Sequence, residues 1–292
     1  MRILITGASG QLGSYLRDEW LSQGSDEITG WCHRPGADRP GPASSPVDLT
    51  DDRAVEEALR EADPEVVIHL AAMSAADAVR RDPELGRAVN VLATERIARW
   101  CGERDRRLIF ASTDMVFDGE RGGYREQDPA CPILEYGRTK AEAERAVLAI
   151  PHGVVARISL LYGPSRSGRE SFFDRAIAAL RRGESQTFFE DEFRTPLHYA
   201  IASRALAGLA TTDFAGIIHL GGPERVSRFE LMTRVAHRLG LDQGLVRGNR
   251  RADVAAAEPR PADLSLDTTR LAQVLPLLDR PTIEGSLEIS NG

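Results

Sequence analysis

Two hydrophobic rhythms alternate along the first half of the chain. Arg2–Thr6 (RILIT), Glu27–Cys32, Glu65–Leu70 (EVVIHL), Arg107–Ala111 (RLIFA) and Gly153–Ile158 are short runs of mostly apolar residues, the length of buried strands. Between them lie longer helical patterns: one ending near Gln23, then Asp51–Ala62, Glu84–Glu103 and Leu134–Ile150, with a Pro/Gly/Ser-rich loop at Pro35–Pro46. Such strands separated by helices predict a parallel sheet covered on both faces. Right-handed crossovers make it an α/β, doubly wound sheet with its ligands at the C-terminal strand ends. After Gly163 the rhythm loosens. Helices near Phe172–Arg182, Tyr199–Ala210 and Arg228–Leu239, a strand at Ile217–Leu220 and a Pro-punctuated segment, Pro259–Pro281, with one small helix predict a smaller lobe. Residues 1–163 are expected to form the sheet domain and 164–292 a lobe interleaved with it.

Composition narrows the partners. The 292 residues carry 37 basic and 44 acidic side chains, a formal charge of −7, and no basic tract, so neither nucleic acid nor an anionic membrane is the expected partner. Cys32, Cys101 and Cys131 form no CxxC and cannot all pair, which fits reduced thiols in a cytoplasmic protein. The strand at Met1–Ile5 leaves no room for a cleavable signal, and no run approaches the roughly 18 apolar residues of a membrane span. The histidines at 33, 69, 152, 198, 219 and 237 show no ligand spacing, so no catalytic metal is expected. His69 and His219, in strand patterns, read as satisfied core groups.

The first candidate chemistry is a glycine turn. Gly7, Gly10 and Gly13 fall at spacing three and three between the first strand and the first helix. Gly7 permits a tight turn, Gly10 a close approach to a pyrophosphate, and Gly13 the packing of helix on strand. Ser9, Gln11 and Leu12 complete a helix start whose N–H groups meet phosphate charge. The strand–turn–helix context makes this a dinucleotide site. Arg34, past the second strand, suits a ribose 2′-phosphate and tilts the cofactor toward NADP, with NAD still open; its alternative is a solvated loop arginine. Asp48 is placed either to accept from an adenine amino group, with Leu49 in backbone contact, or to start a helix. Ala71 and Ala72 are small enough to let the cofactor lie against the backbone.

The second is Tyr136-x-x-x-Lys140, one helical face near a helix start. A free tyrosine, with a pKa of about 10, is a poor acid–base group at neutral pH, and a nearby ammonium is expected to lower it. Lys140 can also hold a nicotinamide ribose. Thr113, at the end of the fourth apolar strand, can orient a substrate carbonyl toward the phenol, while Ser112 reads as a backbone-capping residue.

Together Gly7-x-x-Gly10-x-x-Gly13, Thr113 and Tyr136-x-x-x-Lys140 resemble an extended short-chain dehydrogenase/reductase with a Rossmann-type domain binding NAD(P). More narrowly, Ser112-Thr113-Asp114-Met115-Val116-Phe117-Asp118-Gly119 is similar to the STDYVFDG signature of the dTDP-4-dehydrorhamnose reductase group. Asp82–Leu85 leading to Val89-Asn90-Val91, Arg157–Gly163 and Arg260–Asp267 extend the likeness over nearly the whole chain. The resemblance implies hydride transfer to a keto carbon of a nucleotide-linked sugar, with Tyr136 giving the proton, Lys140 assisting and Thr113 orienting the oxygen. Departures fall on the substrate side: Met115 replaces the signature tyrosine, Leu160 a tryptophan, Ser171 an asparagine and Ile201 an aspartate. These imply a different or modified sugar. Arg194 is read either as a bidentate phosphate clamp or as a surface partner of Glu190, Asp191 or Glu192, a run that itself reads as a solvated loop. Phe172, Phe173 and Phe193 are pocket or core.

Met115 argues against a dehydratase, because a thioether cannot replace the glutamate base found there. Two other readings stay open. One is a non-catalytic regulatory subunit, since the methionine adenosyltransferase β-subunit resembles the same group. The other is a nucleotide-sugar epimerase. Oligomeric state is open too, with a homodimer as one assembly.

Overall fold

A computed structural model describes residues 1–23, 27–33, 44–255 and 257–289. Seven parallel strands form the central sheet: β1 (Arg2–Thr6), β2 (Glu27–Cys32), β3 (Ser44–Pro46), β4 (Val66–His69), β5 (Arg107–Thr113), β6 (Gly153–Ile158) and β7 (Gly216–Leu220). Their order is β7-β6-β5-β4-β1-β2-β3. The chain runs outward from β1 in one direction through β2 and β3, then returns to start β4 on the other side. The strand order therefore reverses between β1 and β4, where the register pairs Thr6 with His69. A crevice opens beyond the C-terminal ends of strands at such a reversal.

The doubly wound parallel sheet expected from the apolar runs is present, and both its faces are covered. On one face α1 (Gln11–Gln23) contributes Leu16 and Trp20, packed with Ile201, Leu206 and Leu209 from α6 (Tyr199–Ala210). On the other, α2 (Asp52–Ala62), α3 (Ala93–Glu103) and α4 (Glu135–Leu148) bury Val55, Leu59, Ile97 and Val147 against Leu4, Val67 and Leu108. A third cluster lies apart from the sheet. It joins Phe173, Ile177 and Leu180 of α5 (Phe172–Arg181), Leu231 and Val235 of α7 (Arg228–Arg238), and Ile283 and Leu287. The last sheet strand, β7, and the helix α6 come from beyond residue 163, so the C-terminal part of the chain returns to complete the sheet.

Several short elements escaped the hydrophobic pattern, the parallel pair Gln186–Phe189 and Val246–Asn249 among them. Ser44–Pro46 lies in the loop-like stretch yet pairs parallel to β2 as an edge strand, where proline is tolerated. The helices Ala76–Arg81 and Ile283–Glu288 have six residues each, too short to show a period. The helix expected at Glu84–Glu103 starts as Pro83–Arg87 and carries a π-helical turn at Ala88–Leu92 before α3. Among the described residues no helix is long and apolar enough to cross a membrane. Cys32, Cys101 and Cys131 are free thiols.

Candidate active site

The glycine turn sits at the strand reversal. Gly7 has φ +69°, which L side chains rarely adopt, and a Cβ there would lie 2.8 Å from the Ala71 nitrogen. Gly13 meets the start of the turn from the helix side: a Cβ would strike the Gly7 carbonyl oxygen and stand 2.8 Å from Ala8 Cα. Gly10 differs, because a Cβ there would meet only the Gly7 oxygen, at 3.1 Å, and otherwise points to open space. The turn is closed by a Gly10 N–H bond to the Gly7 carbonyl at 2.9 Å, and α1 begins at Gln11. The first-turn N–H groups of a helix have no intrahelical acceptor. A concave backbone floor beneath a helix N-terminus suits a pyrophosphate.

The flanking candidates divide. Ala71 donates its N–H to Thr6 Oγ1 at 3.1 Å, against the Gly7 turn, and Ala72 follows it half-buried. Ser9 and Leu12 are half-buried, and Leu12 packs onto the sheet core. The Gln11 side chain donates to Ser165 Oγ at 2.7 Å and to the Arg169 carbonyl at 2.6 Å, so what it offers a ligand at the turn is its backbone N–H. Leu49 is buried among α2 and α3 core residues. Asp48 is exposed, but one carboxylate oxygen accepts from Thr50 N at 2.9 Å and Thr50 Oγ1 at 2.7 Å, which holds its carboxyl below the usual range. Arg34 lies outside the described residues.

The second half of the site stands on β5 and α4. Thr113 ends β5, and its hydroxyl lies close enough to the phenol of Tyr136, in the first turn of α4, to pull that phenol's proton affinity down. Both are buried, at 7% and 9% exposure. Close approach of α4 depends on Gly137, where a Cβ would run into the Met115 carbonyl oxygen. Lys140, one turn on, is 2% exposed and points its ammonium at the face of Phe110, 3.9 Å from the ring centroid.

The ammonium expected to lower the Tyr136 phenol does not do so here. Burial, and then the charge of nearby Asp114, push the phenol above its ordinary range, with only the Thr113 hydrogen bond opposing. Lys140 faces Phe110 instead. Its own pKa falls to about 7 by burial, against the pull of Glu144. Tyr136 is therefore held protonated, the state a general acid needs.

A polar relay joins the two halves, and most of it was missed in sequence. Thr6 Oγ1 lies 2.6 Å from His69 Nδ1, and His69 Nε2 lies 3.0 Å from Thr94 Oγ1. Thr94 in turn donates to the Asn90 carbonyl at 2.8 Å. Asn90 sits in the π-helical turn; its amide donates to Thr139 Oγ1 at 3.0 Å and its carbonyl accepts from Met73 N at 2.8 Å. His69 is thus a satisfied core group, and burial lowers its pKa to about 3. The signal available in sequence was the Val89-Asn90-Val91 string inside an apolar helix, where a lone asparagine needs partners.

On the substrate side several expectations are corrected. Ser112 caps no backbone; it donates to Glu144 Oε1 at 2.5 Å. Arg194 is neither a surface ion-pair partner of the acidic run nor turned to solvent. It is buried, with Nε 3.4 Å from Asp114 Oδ2, because a carboxylate buried after β5 requires a counter-charge. Glu192 is also no solvated loop residue: at 3% exposure it lies 3.6 Å from Arg228 Nε and 3.3 Å from Arg260 Nη1. Met115 and Leu160 are half-buried, Met115 against the Phe117–Tyr124–Leu264 cluster and Leu160 against the third core. Ser171 is the N-cap of α5 in a capping box with Asp174, and Ile201 is core. Phe173 is core too, while Phe172 joins Phe188, Phe189, Arg175 and Arg228 around a cavity of about 260 Å³.

Comparison with known proteins now places this geometry. The RmlD substrate binding domain family matches residues 1–283. The chain belongs to that family. A probable low-salt glycan biosynthesis reductase, Agl14, of Haloferax volcanii is 31% identical, covering 98% of this chain and 96% of its own. The dTDP-4-dehydrorhamnose reductase of Mycobacterium tuberculosis is 34% identical over 90% of this chain and 83% of its own. The methionine adenosyltransferase 2 subunit beta of Pongo abelii is 31% identical over 92% and 81%. In structure, the dTDP-4-dehydrorhamnose reductase of Bacillus anthracis in complex with NADP superposes with a TM-score of 0.87 at 25% identity, covering 99% of this chain and 98% of that one. MoeE5 in complex with UDP-glucuronic acid and NAD gives 0.83 at 26% identity, over 99% and 97%.

Proposed function

We propose that this family member is an NADP-dependent reductase that transfers hydride to the keto carbon of a nucleotide-linked sugar, in the manner of dTDP-4-dehydrorhamnose reductase. The observation that carries the reading is the buried Tyr136 phenol beside Thr113 at the end of β5, one turn from Lys140 and joined through Asn90 and His69 to the glycine turn. Bound NADPH supplies the hydride. Thr113 orients the carbonyl oxygen, and Tyr136 delivers the proton to it. Lys140 holds the nicotinamide ribose.

For the cofactor, the backbone of Gly7, Ser9, Gly10, Gln11, Leu12 and Gly13 takes the pyrophosphate, and Ala71 and Ala72 give it room. Asp48 and Leu49 lie toward the adenine, and Arg34 is the sequence-level reason to favour NADP over NAD. For the substrate, Met115 and Leu160 form the apolar side of the sugar pocket. The cavity beside Phe172 and Phe188 offers aromatic faces for a base and the Arg228 guanidinium for a diphosphate. Arg194 acts from behind, through Asp114. Free thiols fit a cytoplasmic setting.

The likeness to a methionine adenosyltransferase β-subunit, together with Met115 and Leu160 in the pocket, favours a second reading as a non-catalytic regulatory subunit. Turnover separates the two. The purified chain with NADPH and dTDP- or UDP-linked 4-keto sugars is expected to consume the reduced cofactor, and Tyr136→Phe to lose about 10²–10⁴-fold of the rate. Turnover that persists in that variant removes the tyrosine from the mechanism. No turnover, with a stoichiometric enzyme partner recovered, favours the regulatory subunit.

A further inference from the structure

The α4 helix carries a further buried polar side chain, one turn beyond Lys140, that the proposed reaction does not use. Glu144 is 3% exposed. Its carboxylate accepts from Ser112 Oγ of β5 at 2.5 Å, and from Arg157 of β6 through Nε at 3.0 Å and Nη2 at 2.7 Å. A buried carboxylate with this many donors is held in one geometry. Two of its neighbours are cations that each lie over an aromatic face: Lys140 over Phe110, and Arg157 with its guanidinium carbon 5.0 Å from the Phe117 centroid. Without Glu144 they would be buried like charges with no counter-ion, which is costly.

The grip also has a direction. Ser112 immediately precedes Thr113, and Glu144, Lys140 and Tyr136 follow one face of α4 at successive turns. The Ser112–Glu144 bond therefore ties the strand that presents the orienting hydroxyl to the helix that presents the acid. We propose that Glu144 is a positioning residue: held by Ser112 and Arg157, it fixes the spacing between Thr113 and Tyr136 and sets a carboxylate one helical turn from Lys140. This rests on the reductase reading above.

Other charged and titratable groups around this cluster act in known directions. His69 on β4 faces Lys140, Asp114 after β5 faces Tyr136, and His219 on β7 faces Arg157. On the outer flank Arg87 is engaged with Glu142 at 2.7 Å. None of these replaces a carboxylate between Lys140 and Arg157.

The test is NADPH affinity, measured by nicotinamide fluorescence across pH, alongside thermal melts of the unliganded chain. Removing the negative charge in Glu144→Gln disfavours the ammonium, so the alkaline limb of the affinity profile is expected to move acidward by about one pH unit. Glu144→Asp is expected to restore part of that shift. Should Glu144→Gln not fold, the double variant E144L/R157M, with an apolar pair in place of the ion pair, is expected to move the limb the same way but less far, because the repulsion from Arg157 goes with it. A folded variant that melts lower but keeps its alkaline limb gives Glu144 a merely structural role and overturns the proposal. Wild-type protein that binds no NADPH overturns the reductase reading, and this proposal with it; an unmoved limb beside normal wild-type binding overturns this proposal alone.

Discussion

Arg194, in the strand Phe193–Arg194, reaches Asp114, the residue after Thr113, with Nε 3.4 Å from Oδ2 and both side chains 4% exposed. Asp114 is further bonded by Ser159 Oγ at 3.2 Å and Thr113 Oγ1 at 3.3 Å, and Ser159 Oγ also takes the Thr195 N–H at 3.2 Å. One buried carboxylate thereby fastens the segment around Arg194 and Thr195 to the end of β5. Its charge also raises the proton affinity of Tyr136, so this seam and the proposed acid share a group.

Breaking one side of that seam is predicted to cost more than removing it. Arg194→Met leaves Asp114 buried without its main counter-charge and is expected to destabilise by roughly 3–5 kcal/mol in urea unfolding. The double variant with Asp114→Asn is expected to recover most of that loss. A double variant no more stable than Arg194→Met removes the pairing from the account.

The glycines separate folding from binding. Gly13→Ala puts a methyl into the Gly7 carbonyl and Gly7→Ala demands a left-handed residue against Ala71, so both are expected to lower the melting temperature. Gly10→Ala meets little and is expected to melt as wild type. Its methyl fills the floor of the cradle, and NADPH affinity is expected to fall by about tenfold or more. Equal affinity in Gly10→Ala and wild type puts the pyrophosphate elsewhere.

These contrasts show what the chain displays one residue at a time and what it does not. The sheet was legible because β1, β4 and β6 are apolar on both faces, and Gly153–Ile158 and Tyr199–Ala210 run as the pattern marks them. The glycine turn and Tyr136-x-x-x-Lys140 were legible because local geometry dictates both spacings. Arg194, Glu192, Ser112 and Glu144 were not, since a charged or hydroxyl side chain reads as exposed until its distant partner is known. Arg107 shows the same: a charge opening an apolar run in sequence, it is buried in the fold and donates to the Leu209 and Phe214 carbonyls, about a hundred positions away in the chain. Short elements such as Ile283–Glu288 stayed hidden because six residues do not complete two helical turns.

Lys140 supplies a last prediction with a definite sign. Burial brings its pKa down to about 7 in the folded chain, whereas an unfolded lysine titrates at about 10.4. Between those values the unfolded chain binds a proton that the folded chain lacks, so stability from this group rises with pH across that window. The penalty for burying the ammonium is fully present below about pH 7 and gone above about 10.4. Lys140→Met removes that penalty and leaves Glu144 paired with Arg157 alone. The variant is therefore expected to be more stable than wild type by on the order of one to a few kcal/mol at about pH 6, with the gap closing as pH approaches 10. It is expected to lose turnover at every pH, because its cofactor contact is gone. Urea unfolding of both proteins at several pH values measures the gap; a gap of constant size means that Lys140 does not change its charge across this range in the folded chain.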